Sequence, residues 1–117
     1  MHLSESEYHY KLKIASLNDA LRRGFNRCAG ITVLTQNFAA LPAETQQELL
    51  SKIKQFEDFS EGNDPHNEHD FGAVKYEGQK AFFKIDYYDQ DLRGASLDPS
   101  DPDVTQRVLT IMVPSDY

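Results

Sequence analysis

The sequence predicts an α+β domain in which two helices pack on a four-stranded, mainly antiparallel sheet, in the order α-β-α-β-β-β. Three observations predict it. Apolar residues recur every three or four positions in two segments, one near the N-terminus and one after Pro42. Strict alternation runs through Ala81, Phe83, Ile85 and Tyr87, and a run rich in branched apolar residues extends from Arg107 to Val113. With 117 residues, of which 39% are hydrophobic, one core and a single domain over 1–117 are expected.

The first helix is predicted from about Glu5 to Phe25, because Tyr10, Ile14, Leu17, Leu21 and Phe25 form one stripe. Ser4 and Glu7 have the spacing of a capping box at its start. Lys11, Lys13, Arg22 and Arg23 fall off the stripe and are expected in solvent. The β-branched run Ile31–Thr35 after Gly30 reads as a short strand. In the second helix Pro42 suits the first helical position, and Glu44 complements the positive end of the dipole. Leu49, Leu50, Ile53 and Phe56 line its apolar face, and Gly62 is the expected stop. A hairpin follows from Phe71 to Tyr88, with Glu77-Gly78 at its turn and Ala81, Phe83, Ile85 and Tyr87 on one face. In the last strand, Leu109, Ile111 and Val113 point one way while Val108 and Met112 point the other. Apolar residues on both sides imply an interior place in the sheet.

The two remaining connections are unusually acidic. The first holds Glu57, Asp58, Glu61, Asp64, Glu68 and Asp70 without a Lys or Arg. The second holds Asp86, Asp89, Asp91, Asp98, Asp101 and Asp103, offset only by Arg93. One loop enters the hairpin and the other leaves it, so both belong at the same end of the sheet, where their fields add. A net charge of −7 opposes direct binding to a nucleic-acid backbone, which needs clustered cations, and favours basic protein partners. The single cysteine, Cys28, fits a reducing compartment. The N-terminal residues lack the basic start and apolar run of a signal peptide, and no apolar stretch is long enough to span a bilayer, so a cytoplasmic location without membrane contact is expected.

The sharpest enzymatic alternative is a small metal-dependent phosphoester hydrolase. His69, Asp70 and Asp86 would do its chemistry, and His66, His69, Asp70 and Asp86 would hold the ion. Against it, His66 and His69 lack the helical spacing of zinc hydrolases. In the bland reading Asn63 and Asp64 bond the local backbone, and His69 pairs with a carboxylate. The stretch Asp89 to Gly94 has oxygen ligands at alternate positions, as a calcium loop would. However, Arg93 occupies a ligand position, and Ser100 stands where a bidentate Glu is required. No base is tied to Cys28, which is expected to be buried or inert. Phosphate-cradling glycine patterns are absent, and no cofactor is expected. Tyr76, Phe82, Tyr87 and Tyr88 sit among acids, which suits sheet packing better than stacking on single-stranded nucleic acid.

Several segments, taken together, resemble one family: Asn63-Asp64-Pro65, Glu68-His69-Asp70-Phe71-Gly72, Lys84-Ile85-Asp86-Tyr87-Tyr88-Asp89 and Arg107-Val108-Leu109-Thr110-Ile111-Met112. It is the uncharacterised bacterial and phage family designated DUF3768, and the similarity covers nearly the whole chain from Ile14. The resemblance brings no established activity. It implies occurrence on plasmids and phages, and with it an accessory or anti-defence role. His66 departs from the family pattern, in which a tyrosine is expected.

These readings lead to one functional expectation. The chain is a non-enzymatic binding or inhibitor module associated with mobile elements, occupying a basic surface of a nucleic-acid-binding protein. Asp64, Glu68, His69, Asp70, Asp86, Tyr88, Asp89, Asp91, Arg93 and Asp98 are the expected binding residues. The chain itself is expected as a monomer or small homo-oligomer.

Overall fold

The computed structural model describes residues 4–60 and 62–117; Glu61, counted in the first acidic loop, lies outside them. Helix α1 spans Glu5–Gly24, and Ser4 caps it by accepting a hydrogen bond from the Glu7 N–H. Strand β1 spans Ile31–Leu34 and is followed by a single helical turn, α2, over Gln36–Ala39. Helix α3 spans Ala43–Lys54, and the hairpin comprises β2, Phe71–Tyr76, and β3, Gln79–Tyr88. Strand β4, Gln106–Met112, leads to a 3-10 turn over Pro114–Asp116.

The strands lie in the order β1-β4-β3-β2. β4 is therefore an inner strand, as its apolar residues on both faces predict. The sheet is mixed, because β1 runs parallel to β4 while the other two pairs are antiparallel. Glu77 and Gly78 turn the hairpin with φ of 46° and 86°, the left-handed pair that matches strand twist in a two-residue loop.

The helices cover one face of the sheet. Leu21, Phe38, Leu49 and Ile53 pack there against Ala81, Phe83, Ile85, Leu109 and Ile111, all buried. By the period-two alternation of strands, Phe71, Phe82, Lys84, Asp86, Tyr88 and Thr110 lie on the opposite, helix-free face.

Four expectations need correction. Thr35 is not the end of β1 but the N-cap of α2, accepting from the Phe38 N–H, and the extra turn carries Phe38 into the core. Pro42 is the N-cap residue of α3 and not its first helical residue. That helix ends at Lys54, well before Gly62, so Phe56 packs from the following loop. Arg22 and Lys11 are not solvated: Arg22 is wholly buried, and Lys11 forms an ion pair with Glu68. The carbonyl oxygens of Ile53 and Lys54 accept from the Arg22 guanidinium, so a buried cation satisfies the end of α3, where carbonyls have no partners within the helix.

Candidate functional site

Antiparallel pairing sets Phe71 opposite Lys84 and bonds the Ile85 N–H to the Asp70 carbonyl at 2.8 Å. Both acidic connections thus start from one end of the hairpin.

The first connection is pinned to the body by a buried polar network centred on Asn18, in the middle of α1. Asn18 Nδ2 donates to the Glu68 carbonyl at 2.9 Å and to Tyr87 Oη at 2.8 Å, while its Oδ1 accepts from Arg107 Nε at 2.9 Å. Tyr87 Oη in turn donates to Glu68 Oε1 at 2.8 Å, and Lys11 pairs with the other Glu68 oxygen. The Arg107 guanidinium lies over the Tyr87 ring and donates to the Pro99 carbonyl, which ties the second acidic connection to the same hub. Burial, with Glu68 beside it, pushes the Tyr87 hydroxyl far above its ordinary range, so it remains a proton donor to that carboxylate. Burial pushes Arg107 down, and Tyr87 and Glu68 oppose it.

His69 has a positive φ of 57° and a ring stacked on Phe59 at 4.0 Å with 3° between planes. Its Nδ1 lies 3.1 Å from both Asp19 oxygens, and its Nε2 lies 3.8 Å from Asp64. Asp64 is only 4% exposed, and its Oδ1 accepts from the backbone N–H groups of Glu68 and His69. Asp19 also accepts from the buried Arg22 at 2.9 Å. Both ring nitrogens therefore face carboxylates of the protein itself. Gly72 completes the motif for a steric reason: a Cβ there would stand 2.4 Å from the Phe83 ring and 2.8 Å from Phe56.

The expected binding residues accordingly separate into three groups. Asp64, Glu68 and His69 are engaged within the protein: Asp64 by backbone amides, Glu68 by Tyr87 and Lys11, and the partly exposed His69 by Asp19 and Phe59. Asp70 and Asp86 line a cleft of about 430 Å³ with Asn63, Pro65, His66, Phe71, Lys84 and Tyr117, and Tyr88 lies on the same helix-free face of the sheet. Asp89, Asp91, Arg93 and Asp98 lie on the second connection.

That connection is built from turns that its own acids cap. Asp89 Oδ1 accepts from the Arg93 N–H at 3.0 Å, Asp98 Oδ1 accepts from the Ser100 N–H and hydroxyl, and Asp101 Oδ1 accepts from the Asp103 N–H. The Ser100 bonds hold the Asp98 carboxyl below its usual range. Between these caps Leu97 is 98% exposed and Leu92 is half exposed. The Asp89–Gly94 stretch that resembles a calcium loop is a tight turn closed by the Asp89 N–H bond to the Gly94 carbonyl, with Leu92 at φ 59°.

The metal quartet is not assembled. His69 is held by Asp19 in a separate cleft of about 280 Å³, away from the one that His66, Asp70 and Asp86 line. Among the described residues no three His, Cys, Asp or Glu side chains are grouped to hold an ion. Cys28, expected to be buried or inert, is not buried but exposed in the turn after α1. No described helix is long and apolar enough to cross a membrane.

The residues that sequence reasoning missed are Asn18, Asp19 and Arg107. Two of them carry a signal in the pattern: Asn18 sits one position from Leu17 and three from Leu21 on the predicted stripe, and Arg107 has the same strand parity as Leu109 and Ile111. A polar residue on an inward face requires a buried partner.

No curated protein and no solved structure matches the chain. A family model described as "Protein of unknown function (DUF3768)" matches residues 34–116, which takes in α2, α3, every strand but most of β1, and the whole of the loop network except its α1 contribution. The chain belongs to that family.

Proposed function

We propose that the chain is a non-enzymatic protein-binding module whose acidic sheet end occupies a basic surface of a nucleic-acid-binding partner. The setting proposed for it is a mobile element, where such occupation would serve anti-defence. The observation that carries the reading is Leu97, 98% exposed in a connection that also bears Asp91, Asp98, Asp101 and Asp103. Leaving a leucine side chain in water forgoes about 1.5–3 kcal/mol of burial, and solubility alone would be served by a polar residue there. An apolar centre within a charged rim is the usual anatomy of a protein interface. The carboxylates support the same reading. Asp89, Asp98 and Asp101 are fixed by backbone amides before any partner arrives, so less ordering entropy is lost on binding.

The test is a pull-down of the tagged chain from bacterial lysate at about 50 and 200 mM salt, between which screening strengthens markedly. Mass spectrometry identifies what is retained, and DNA is added as competitor. The Asp89/Asp91/Asp98→Asn variant keeps an amide oxygen to accept the turn bonds and removes only charge; Leu97→Ala removes the apolar centre. A retained nucleic-acid-binding protein that is lost at high salt, displaced by DNA and weakened in both variants is the expected outcome. Retention indifferent to salt and to both variants, or no retention at all, overturns the reading.

A further inference from the structure

The cleft between the Asn63–Asp70 loop and the helix-free sheet face is separate from the Leu97 connection and has its own chemistry. Its two carboxylates differ in how they are satisfied. Asp86 has an internal cation, with Lys84 Nζ 3.1 Å from its Oδ2. Asp70 lies two residues before Gly72, on the first rung of the hairpin, and forms no ion pair among the described residues. It is half-buried, and desolvation with Glu68 nearby raises its carboxyl above the ordinary range. A carboxylate held this way gains more from an incoming cation than one in open water does.

The rest of the lining selects the kind of cation. Phe71 and Tyr117 lie at 5.5 Å between ring centroids, and Tyr117 keeps 76% of its surface open to solvent, so an aromatic face borders the acids. A planar guanidinium can stack on an aromatic ring while its N–H fork meets a carboxylate, whereas an ammonium offers only a point charge. A space of about 430 Å³ admits an arginine side chain without displacing the backbone.

We infer that this cleft is an arginine-recognition subsite, in which Asp70 pairs with the guanidinium of a basic partner and Tyr117 and Phe71 flank it. The inference rests on the basic-partner reading above and gives that partner a required residue. Lys84 acts as the resident counter-charge of Asp86, so the arriving guanidinium is directed to Asp70.

The experiment needs no partner. The ¹⁵N-labelled full chain is titrated with N-acetyl-arginine amide and, separately, with N-acetyl-citrulline amide, which has the same shape without the charge, and N-acetyl-lysine amide. A lone side chain is expected to bind with a dissociation constant of about 1–10 mM, given the small number of atoms it contributes. Saturable amide shifts confined to Asp70, Phe71, Lys84–Asp86 and Tyr117, absent with citrulline and weaker with lysine, are the expected result. Asp70→Asn should weaken the arginine response at least tenfold while its far-ultraviolet dichroism is unchanged. Equal responses to arginine and citrulline, no saturation, or shifts distributed evenly over Asp91, Asp101 and Asp103 overturn the subsite. Failure here alongside a salt-sensitive partner in the pull-down removes the subsite alone. A positive titration with no retained partner removes the basic-partner reading and leaves the arginine site standing.

Discussion

Replacing Asn18 by alanine tests whether the family motif around Glu68 serves the fold. Asn18 is wholly buried and takes part in three hydrogen bonds, one of them from the charged Arg107. A bond to a charged group contributes about 1.5–3 kcal/mol and each neutral one about 0.5–1.5 kcal/mol. Alanine also leaves Arg107 Nε without its acceptor, so a net loss of roughly 3–5 kcal/mol is expected. For a chain of 117 residues the unfolding entropy at the midpoint is about 0.25 kcal/mol/K, which converts that loss to a fall in Tm of about 12–20 °C. Scanning calorimetry with urea unfolding at neutral pH measures it. Hydrogen exchange at Glu68 and His69 should rise in the same variant, since their amides depend on Asp64 in the loop that Asn18 anchors. Gln47→Ala is the control, because Gln47 is exposed on α3; a change within about 0.5 kcal/mol is expected there. A fall of less than about 4 °C for Asn18→Ala would refute the hub.

Gly72→Ala should cost about 1–3 kcal/mol through overpacking, because Phe83, wedged between Phe56 and Phe59, cannot withdraw from a new Cβ. Adding Phe83→Leu to that variant should recover part of the loss, and strictly additive urea midpoints would contradict the contact. Asp70→Asn should stabilise the protein at pH 7. Its folded carboxyl lies above the ordinary value of 3.8, so folding favours the protonated form and the ionised one costs stability. That gain should vanish below pH 3.8, and a variant less stable than the parent at pH 7 would reverse the sign. Asp116 behaves oppositely. Thr35 and Asn37 each donate to it at 2.7 Å and lower its carboxyl, so the stability it confers is present above pH 3.8 and fades as pH falls through its folded value. Asp116→Asn should therefore flatten the acid limb of the stability curve, and an unchanged limb would count against that anchor.

The elements that the sequence revealed most fully are those whose signal is local. Alternation across Ala81, Phe83, Ile85 and Tyr87, with turn chemistry at Glu77-Gly78, defined the hairpin to the residue. The apolar residues on both faces of β4 located it inside the sheet. What escaped were features whose cause lies far along the chain. Arg22 was placed in solvent because it falls off an apolar stripe, yet it is buried by the carbonyls at the end of α3, 31 residues away. Thr35 reads as strand because it is β-branched, but its hydroxyl as the N-cap of α2 outweighs that propensity. In the loop, composition marked acids correctly but could not say which were already engaged. Asp64 and Glu68 form part of the packing, whereas Asp70, two positions further on, forms no ion pair among the described residues.

β1 and β4 are neighbours in the sheet although the chain between them includes α2, α3 and the whole hairpin. Among the described strands β4 is synthesised after the other three and is the one that joins β1 to β3, so the four-stranded sheet cannot close until β4 emerges. The hairpin can form early, but β1 has no partner until then. High contact order of this kind slows folding, and a strongly acidic chain that must wait unfolded is protected by self-repulsion from its own copies. The negative charge thus has a use during synthesis that is separate from any surface the finished protein presents.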